Sequence, residues 1–182
     1  MCRKTLQTRS TFGFVVSVSS IVADTSALIA LSAIHQLDLL HMEFNDVRIP
    51  RAVYREIVND GEGWFEAADA QALMKSESWF HTEDVTSSTL LDLLRASLGA
   101  GEAEAIALAS ERRLPVLVDD MEARQAAAGL KLEIVGALGI IGRGKRRGRI
   151  AAAKPLVEAL RAAGIYYSDS LITQFLTELH EI

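Results

Sequence analysis

Five acidic residues, Asp24, Glu56, Glu102, Asp119 and Asp120, are the side chains of this sequence whose types and placement suit a reaction. Carboxylates gathered in one crevice repel each other unless a cation neutralises them or some of them hold protons. Hard oxygen donors favour Mg²⁺ or Mn²⁺, which keep several waters and accept only a few carboxylates. A metal held in this way activates a water and stabilises the charge that develops on a phosphodiester, so the chemistry expected is hydrolytic phosphoryl transfer. No other nucleophile competes. Cys2 stands alone, and His35, His41, His81 and His180 lack the mutual spacing of a metal or acid–base pair.

The segments around these acids must bring them together. Asp24 ends the apolar run Ile21 to Ala23, and Ser26 to Ile34 then reads as a helix capped by Thr25 or Ser26. Val47 to Ile49 is a second strand closed by Pro50, and the helix that follows to Asn59 carries Glu56. The pattern predicts a helix over 62–75, a short strand from Trp79 and Phe80, and helices Thr89 to Arg95 and Glu102 to Glu111 on either side of a Gly99–Gly101 hinge. Leu114 to Val118 is a continuous apolar run, as expected of a strand buried on both faces, and it is closed by Asp119 and Asp120. A helix Met121 to Ala128, a strand Leu132 to Val135, and helices Leu138 to Arg147, Pro155 to Ala163 and Ser168 to Leu179 complete the chain.

Strands alternating with helices imply an α/β fold, a three-layer α/β/α arrangement around a central parallel sheet. In such sheets ligands bind at the carboxyl ends of the strands. Asp24, Asp119 and Asp120 stand at those ends, and Glu56 and Glu102 lie near the starts of helices that can point back over them. Each acid also has a structural reading. Asp24-Thr25-Ser26 suits a helix N-cap, Glu102 complements a helix macrodipole, and Asp119 or Asp120 can cap the next helix. The joint occurrence favours the functional reading.

Composition narrows the classes further. With 182 residues, 49% hydrophobic, 24% charged, 3 prolines and 12 glycines, the chain fits one globular domain rather than a disordered or fibrous protein. A lone cysteine suggests a reducing compartment, with the cytoplasm as the default. A formal charge of −5 opposes generic binding to a phosphate backbone, so nucleic-acid contact must be local or bridged by metal. Arg3, Lys4 and Arg9 before the run Phe12 to Val18 resemble a secretory signal. The run is short and broken by serines, and cleavage after Ala23 would remove the first strand. Residues 1–20 are therefore read as an N-terminal extension and 21–182 as the domain. No segment reaches the roughly 18 to 20 apolar residues of a membrane span.

The segment Val22-Ala-Asp-Thr-Ser-Ala-Leu-Ile-Ala-Leu resembles the opening of PIN-domain proteins, and Ile49-Pro-Arg-Ala-Val-Tyr-Arg-Glu-Ile resembles their second block. Gly101-Glu-Ala-Glu-Ala-Ile-Ala-Leu-Ala and Leu117-Val-Asp-Asp-Met-Glu-Ala-Arg look like the third and fourth, in the family's order, from about Val22 to Gly148. The variant is similar to a prokaryotic branch related to VapC-type toxins. The resemblance implies a PIN-like fold and a metal-dependent endoribonuclease, the toxin of a toxin–antitoxin pair. It matches Asp24, Glu56, Glu102 and Asp120 to the family's acids, with Asp119 an equal rival for the last place. Thr25 or Ser26 would orient Asp24 or a metal-bound water. Glu102 departs from the usual aspartate, which supports an alternative: a catalytically silent PIN-like module that binds a protein or RNA. A phosphotransfer domain of the haloacid type fits badly, because the second aspartate two positions after Asp24 is missing.

Other residues are read more plainly. Glu104, two positions from Glu102, faces another side of its helix, a solvated face or a supporting position. Trp64, Phe65, Trp79 and Phe80 suit a core or a dimer interface better than base stacking. Arg124 can reach the acidic crevice, although a helix-surface salt bridge is the commoner fate. Lys145, Arg146 and Arg147, within the only concentrated basic patch, are either a solvated helix end or a strip that contacts RNA phosphates. The partners expected are an RNA substrate, an antitoxin protein and a second copy in a homodimer.

Overall fold

The computed structural model describes residues 20–60 and 65–182. Most of the N-terminal extension and Trp64 lie outside the described residues. Strand β1 (Ser20–Ala23) leads through Asp24 into helix α1 (Thr25–Ala33). Helix α2 (Leu37–Glu43) follows and buries Leu37, Leu39 and Leu40. The sequence reading has no counterpart for α2, because two turns are too few to display a helical period. Strand β2 (Asp46–Pro50) passes directly into α3 (Arg51–Tyr54), where Pro50 serves as the extended N-cap. The helix then widens to a π form over Arg55–Asp60.

A single 3₁₀ turn, Phe65–Ala67, opens α4 (Ala68–Ser76), so the helix expected over 62–75 is observed only from Phe65 onward, and residues 61–64 lie outside the described residues. Strand β3 (Phe80–Glu83), α5 (Ser88–Arg95) and α6 (Ala100–Arg112) come next. The Gly99–Gly101 hinge is thus confined to the N-cap Gly99, and Gly101 already belongs to the helix. Strands β4 (Val116–Leu117) and β5 (Ile134–Val135) flank α7 (Met121–Gly129). Both are shorter than their apolar runs. Pro115 has no N–H to give the ladder, but Val116 and Val118 still donate to Glu133 and Val135. Helices α8 (Ala137–Arg146), α9 (Lys154–Ala162) and α10 (Asp169–Glu178) end the chain.

Among the described residues the strands form one parallel sheet in the order β3-β2-β1-β4-β5. Alternation divides the central strands between two cores. Ile21 and Ala23 of β1 and Leu117 of β4 join Val135, α1 and the C-terminal helices, with Leu160 and Phe175. Val22, Val116 and Val118 face the other way, against Ile106 and Leu108 of α6. This is a three-layer α/β/α arrangement, and with both sheet faces covered the central strands read as unbroken apolar runs. Chain order reverses between β1 and β4: the chain leaves β1 toward β2 and β3, then returns on the far side as β4. That point is a topological switch, where the loops after two neighbouring strands diverge and leave a crevice.

Candidate active site

Asp24 lies on the β1 side of the switch. Its backbone N–H donates to Leu117, which fixes the strand end, and its side chain caps α1, accepting from the Ser26 backbone N–H at 3.2 Å and the Ser26 hydroxyl at 2.8 Å. The cap is therefore Asp24 itself and not Thr25 or Ser26. Only 1% of the residue is exposed. Oδ2 takes both Ser26 bonds, and Oδ1 is buried with no hydrogen-bond donor. Burial pushes the carboxyl up from 3.8 to about 6. The Ser26 hydroxyl and the nearby backbone N–H groups of Thr25 and Ser26 oppose that rise, and the charge of Glu102 adds to it.

Glu56 is held across the helix layer. Its Oε2 accepts from the Thr25 hydroxyl at 2.5 Å and its Oε1 from the Gly101 backbone N–H at 3.0 Å. Thr25 thus orients Glu56, and Ser26 is the hydroxyl that orients Asp24. Gly101 is required for this contact, since a Cβ there would lie 2.5 Å from Glu56 Oε2. Glu102, one residue on, reaches back to the Gly99 backbone N–H at 3.0 Å in a capping-box bond at the start of α6.

Asp119 and Asp120 part company. Asp120 is exposed and caps α7, its Oδ1 accepting from the Ala123 N–H at 2.9 Å. Asp119 turns toward the C-terminal helices. Its Oδ1 accepts from the Ala137 N–H at the start of α8 at 3.1 Å, and its Oδ2 from the Tyr167 hydroxyl at 2.8 Å. Burial raises its carboxyl above the usual range, while Tyr167, the Ala137 N–H and the Arg124 charge counter the rise. Burial, and then Asp119 itself, raise the Tyr167 phenol in turn. A Cβ on Gly136 would lie 2.5 Å from Asp119 Oδ1.

The electrostatic coupling is between Asp24 and Glu102, and the hydrogen-bonded couplings are Thr25 to Glu56 and Tyr167 to Asp119. Among the described residues no three of His, Cys, Asp or Glu converge closely enough to enclose a cation. The donor set nevertheless suits a hard divalent metal. The orphaned Asp24 oxygen lacks a positive partner, and Mg²⁺ characteristically takes one or two carboxylates and keeps its waters.

Of the side chains weighed beside these acids, some keep the parts expected of them and others do not. Glu104 is buried, not on a solvated face. Its Oε2 accepts from the Ala52 N–H at 3.0 Å and its Oε1 from Arg95 at 2.8 Å, tying α6 to the start of α3. Arg124 is not spent on a surface salt bridge but donates to the Val118 carbonyl at 2.9 Å, beside Asp119. Trp79 and Phe80 are core residues, and Phe65 is 82% exposed. His35 pairs with Asp69, His81 with Asp46, and His41 stacks on Trp79, all away from the acids. Lys145, Arg146 and Arg147 are paired with Glu181, Glu178 and Glu43. Tyr167 and Gly136 are the residues sequence reasoning missed. The only signal was a glycine standing at a strand-to-helix junction.

A parallel sheet carrying buried acids at its switch point defines a class of protein. The chain matches the family model described as a PIN domain over residues 20–181, and it belongs to that family. The family is one of nucleases, hydrolases of phosphodiester bonds. No curated protein matches the sequence. Among the described residues no helix is long and apolar enough to cross a membrane.

Proposed function

We propose that the protein is a Mg²⁺- or Mn²⁺-dependent endoribonuclease acting as the toxin of a toxin–antitoxin pair. The observation that carries the metal-dependent reading is the Asp24 Oδ1 atom, buried at the switch point without a donor and coupled to Glu102. A fold does not keep an uncompensated buried acceptor without loss of stability, and a cation is the partner that a carboxylate oxygen lacks there. Asp24, Glu102 and Asp120, which follows the neighbouring strand, would hold the metal, and Glu56 completes the set of four acids. Asp119 is the weaker claimant, because both its oxygens already serve Tyr167 and α8.

The metal, when bound, would polarise a water and stabilise the pentacovalent charge of phosphodiester hydrolysis. The protein's own residues do the positioning. Ser26 fixes one oxygen of Asp24 and leaves the other without a donor. Thr25 and Gly101 clamp Glu56, which is set to orient the attacking water or take its proton. Glu102 carries the longer side chain where the family more often has aspartate, and its bond to Gly99 limits the reach that length adds.

Purified protein is expected to cleave single-stranded RNA with Mg²⁺ or Mn²⁺, to lose cleavage in chelator, and to lose it in Asp24→Asn with the fold retained by circular dichroism. Equal cleavage by wild type and Asp24→Asn would reject the assignment. No cleavage by wild type over a broad substrate panel would favour the silent binding module that the Glu102 departure suggests. The toxin reading further expects a small antitoxin that suppresses cleavage, a homodimer by sedimentation at micromolar concentration, and residence in the cytoplasm.

A further inference from the structure

A cavity of about 660 Å³ opens next to Asp119, one residue before the proposed crevice acid Asp120, and no step of the proposed hydrolysis uses it. Its walls are largely apolar, with Ile134 and Val135 from β5, Leu138 from α8 and Phe175 from α10. Met121, 70% exposed, and Leu171, 45% exposed, stand where it meets solvent. Gln125, Arg143, Gln174 and Glu178 also line it, and three further polar side chains form one linked group there: Asp119, Tyr167 bonded to it, and Arg124 beside it. A volume in the range of small-molecule sites, apolar walls and a few converging polar groups are the marks of a pocket built for a specific ligand.

The polar groups limit what that ligand can be. An ionised carboxylate only accepts, and it has about four acceptor positions, of which the Ala137 N–H and the Tyr167 hydroxyl occupy two or three on Asp119. An occupant must therefore bring N–H donors. Arg124 keeps several N–H donors beyond the one given to Val118, so the same occupant gains by offering an acceptor. A planar apolar face with N–H donors next to a carbonyl oxygen is the description of guanine, whose N1–H and N2 amino group can meet a carboxylate while O6 meets a guanidinium. Adenine sets a ring acceptor against the carboxylate beside its single amino donor.

We propose that this cavity takes an unpaired guanine base of the RNA substrate, stacked among the apolar walls with its donor edge on Asp119 and its O6 toward Arg124. The inference rests on the nuclease reading, in which Asp120, the neighbour of Asp119, follows the strand β4 that pairs with β1 and so with Asp24. Gly139 on α8 is suited to testing it. Gly139 lines the cavity, and a Cβ there meets only Val135 at 3.4 Å, so a leucine fills the space without breaking the helix.

The experiment measures binding of labelled heptanucleotides to the full chain carrying Asp24→Asn, in chelator, so that neither metal nor cleavage enters. The oligonucleotides are all-adenosine, the same with one central guanosine, and the same with one central inosine, which lacks the N2 amino group. Guanosine should bind at least about tenfold more tightly than adenosine, with inosine in between. Gly139→Leu should erase the difference at an unchanged melting temperature, and so should Asp119→Asn if it folds. Equal affinity for all three in the folded parent overturns the inference, and so does a guanosine preference that survives Gly139→Leu. No RNA binding at all overturns it too, while cleavage by the wild type with metal judges the nuclease reading separately. If Gly139→Leu changes no base preference but converts a dimer to monomer in sedimentation, the cavity is a contact between copies and the base pocket is rejected.

Discussion

At the scale of single residues, Asp24 carries the clearest energetic consequence. Its carboxyl sits at about 6 in the fold against 3.8 unfolded, so between those values the folded state holds the proton that the unfolded chain has released. Stability from this group is full below about pH 4, declines as pH rises through 6, and is absent above, a difference of about 3 kcal/mol for a shift of this size. Thermal melting in chelator should therefore show a loss of stability from pH 4 to 7 that Asp24→Asn removes, with the variant about 1–3 kcal/mol more stable at pH 7. A metal that binds Asp24 should restore stability to the wild type alone. An Asp24→Asn variant that is no more stable than wild type in chelator at pH 7 would contradict the burial argument. The position of Asp24 was legible in the sequence because it closes an apolar run. Its missing donor was not, because that depends on how Ser26 uses one oxygen and nothing uses the other.

At the scale of elements, the acidic site depends on how α3, α6 and β4 hand their residues to one edge. The widened π turn at Arg55–Asp60 carries Glu56, and π turns inserted in helices often mark functional positions because they rotate a side chain off the regular period. Gly101 provides the space and the N–H that receive it. Gly101→Ala should push Glu56 away, costing about 1–3 kcal/mol in denaturant melts through overpacking and reducing RNA cleavage. Thr25→Val, which removes the 2.5 Å donor with little change in volume, should reduce cleavage with a smaller loss of stability. If Gly101→Ala matches wild type in both measurements, Glu56 is not held as described. The order of strands and helices was legible because buried parallel strands are continuous apolar runs that end at turn or acidic residues. The finer joints were not. The spacing of Glu104 from Glu102 left a solvated face and a supporting position both open, and it is buried in a supporting one because Arg95 and the Ala52 N–H, 52 positions away in sequence, come to meet it. The bond from Tyr167 to Asp119 spans 48 positions and leaves no local pattern.

At the scale of the whole molecule, a chain of net charge −5 must still hold a polyanion. Lys145, Arg146 and Arg147 at the end of α8 remain our proposed guide for the RNA backbone, although each already faces a carboxylate. Arg147 lies 2.9 Å from Glu43, Lys145 3.3 Å from Glu181 and Arg146 3.9 Å from Glu178. Only Arg146–Glu178 is exposed on both sides, and such pairs are weak, typically below about 1 kcal/mol, so phosphate competes most readily for Arg146, whereas the Glu43 and Glu181 side chains are only 4% and 10% exposed and hold Arg147 and Lys145 more firmly. Arg149, exposed and without an ion pair among the described residues, extends the same strip. Neutralising a phosphate releases condensed counterions, and replacing Lys145, Arg146 and Arg147 together by alanine should flatten the slope of log K against log salt by roughly 0.7 for each single-strand phosphate no longer neutralised. Affinity should fall alike for guanosine-containing and all-adenosine oligonucleotides, because these cations read charge and not bases. Cleavage should weaken through poorer capture of substrate, with turnover at saturation largely kept. Binding series on the Asp24→Asn background at several salt concentrations, paired with melting curves, separate this from unfolding. A folded triple variant with the parental salt slope would assign these cations to Glu43, Glu178 and Glu181 alone, as ties between α8, α2 and the end of α10, and would require the RNA to cross another face.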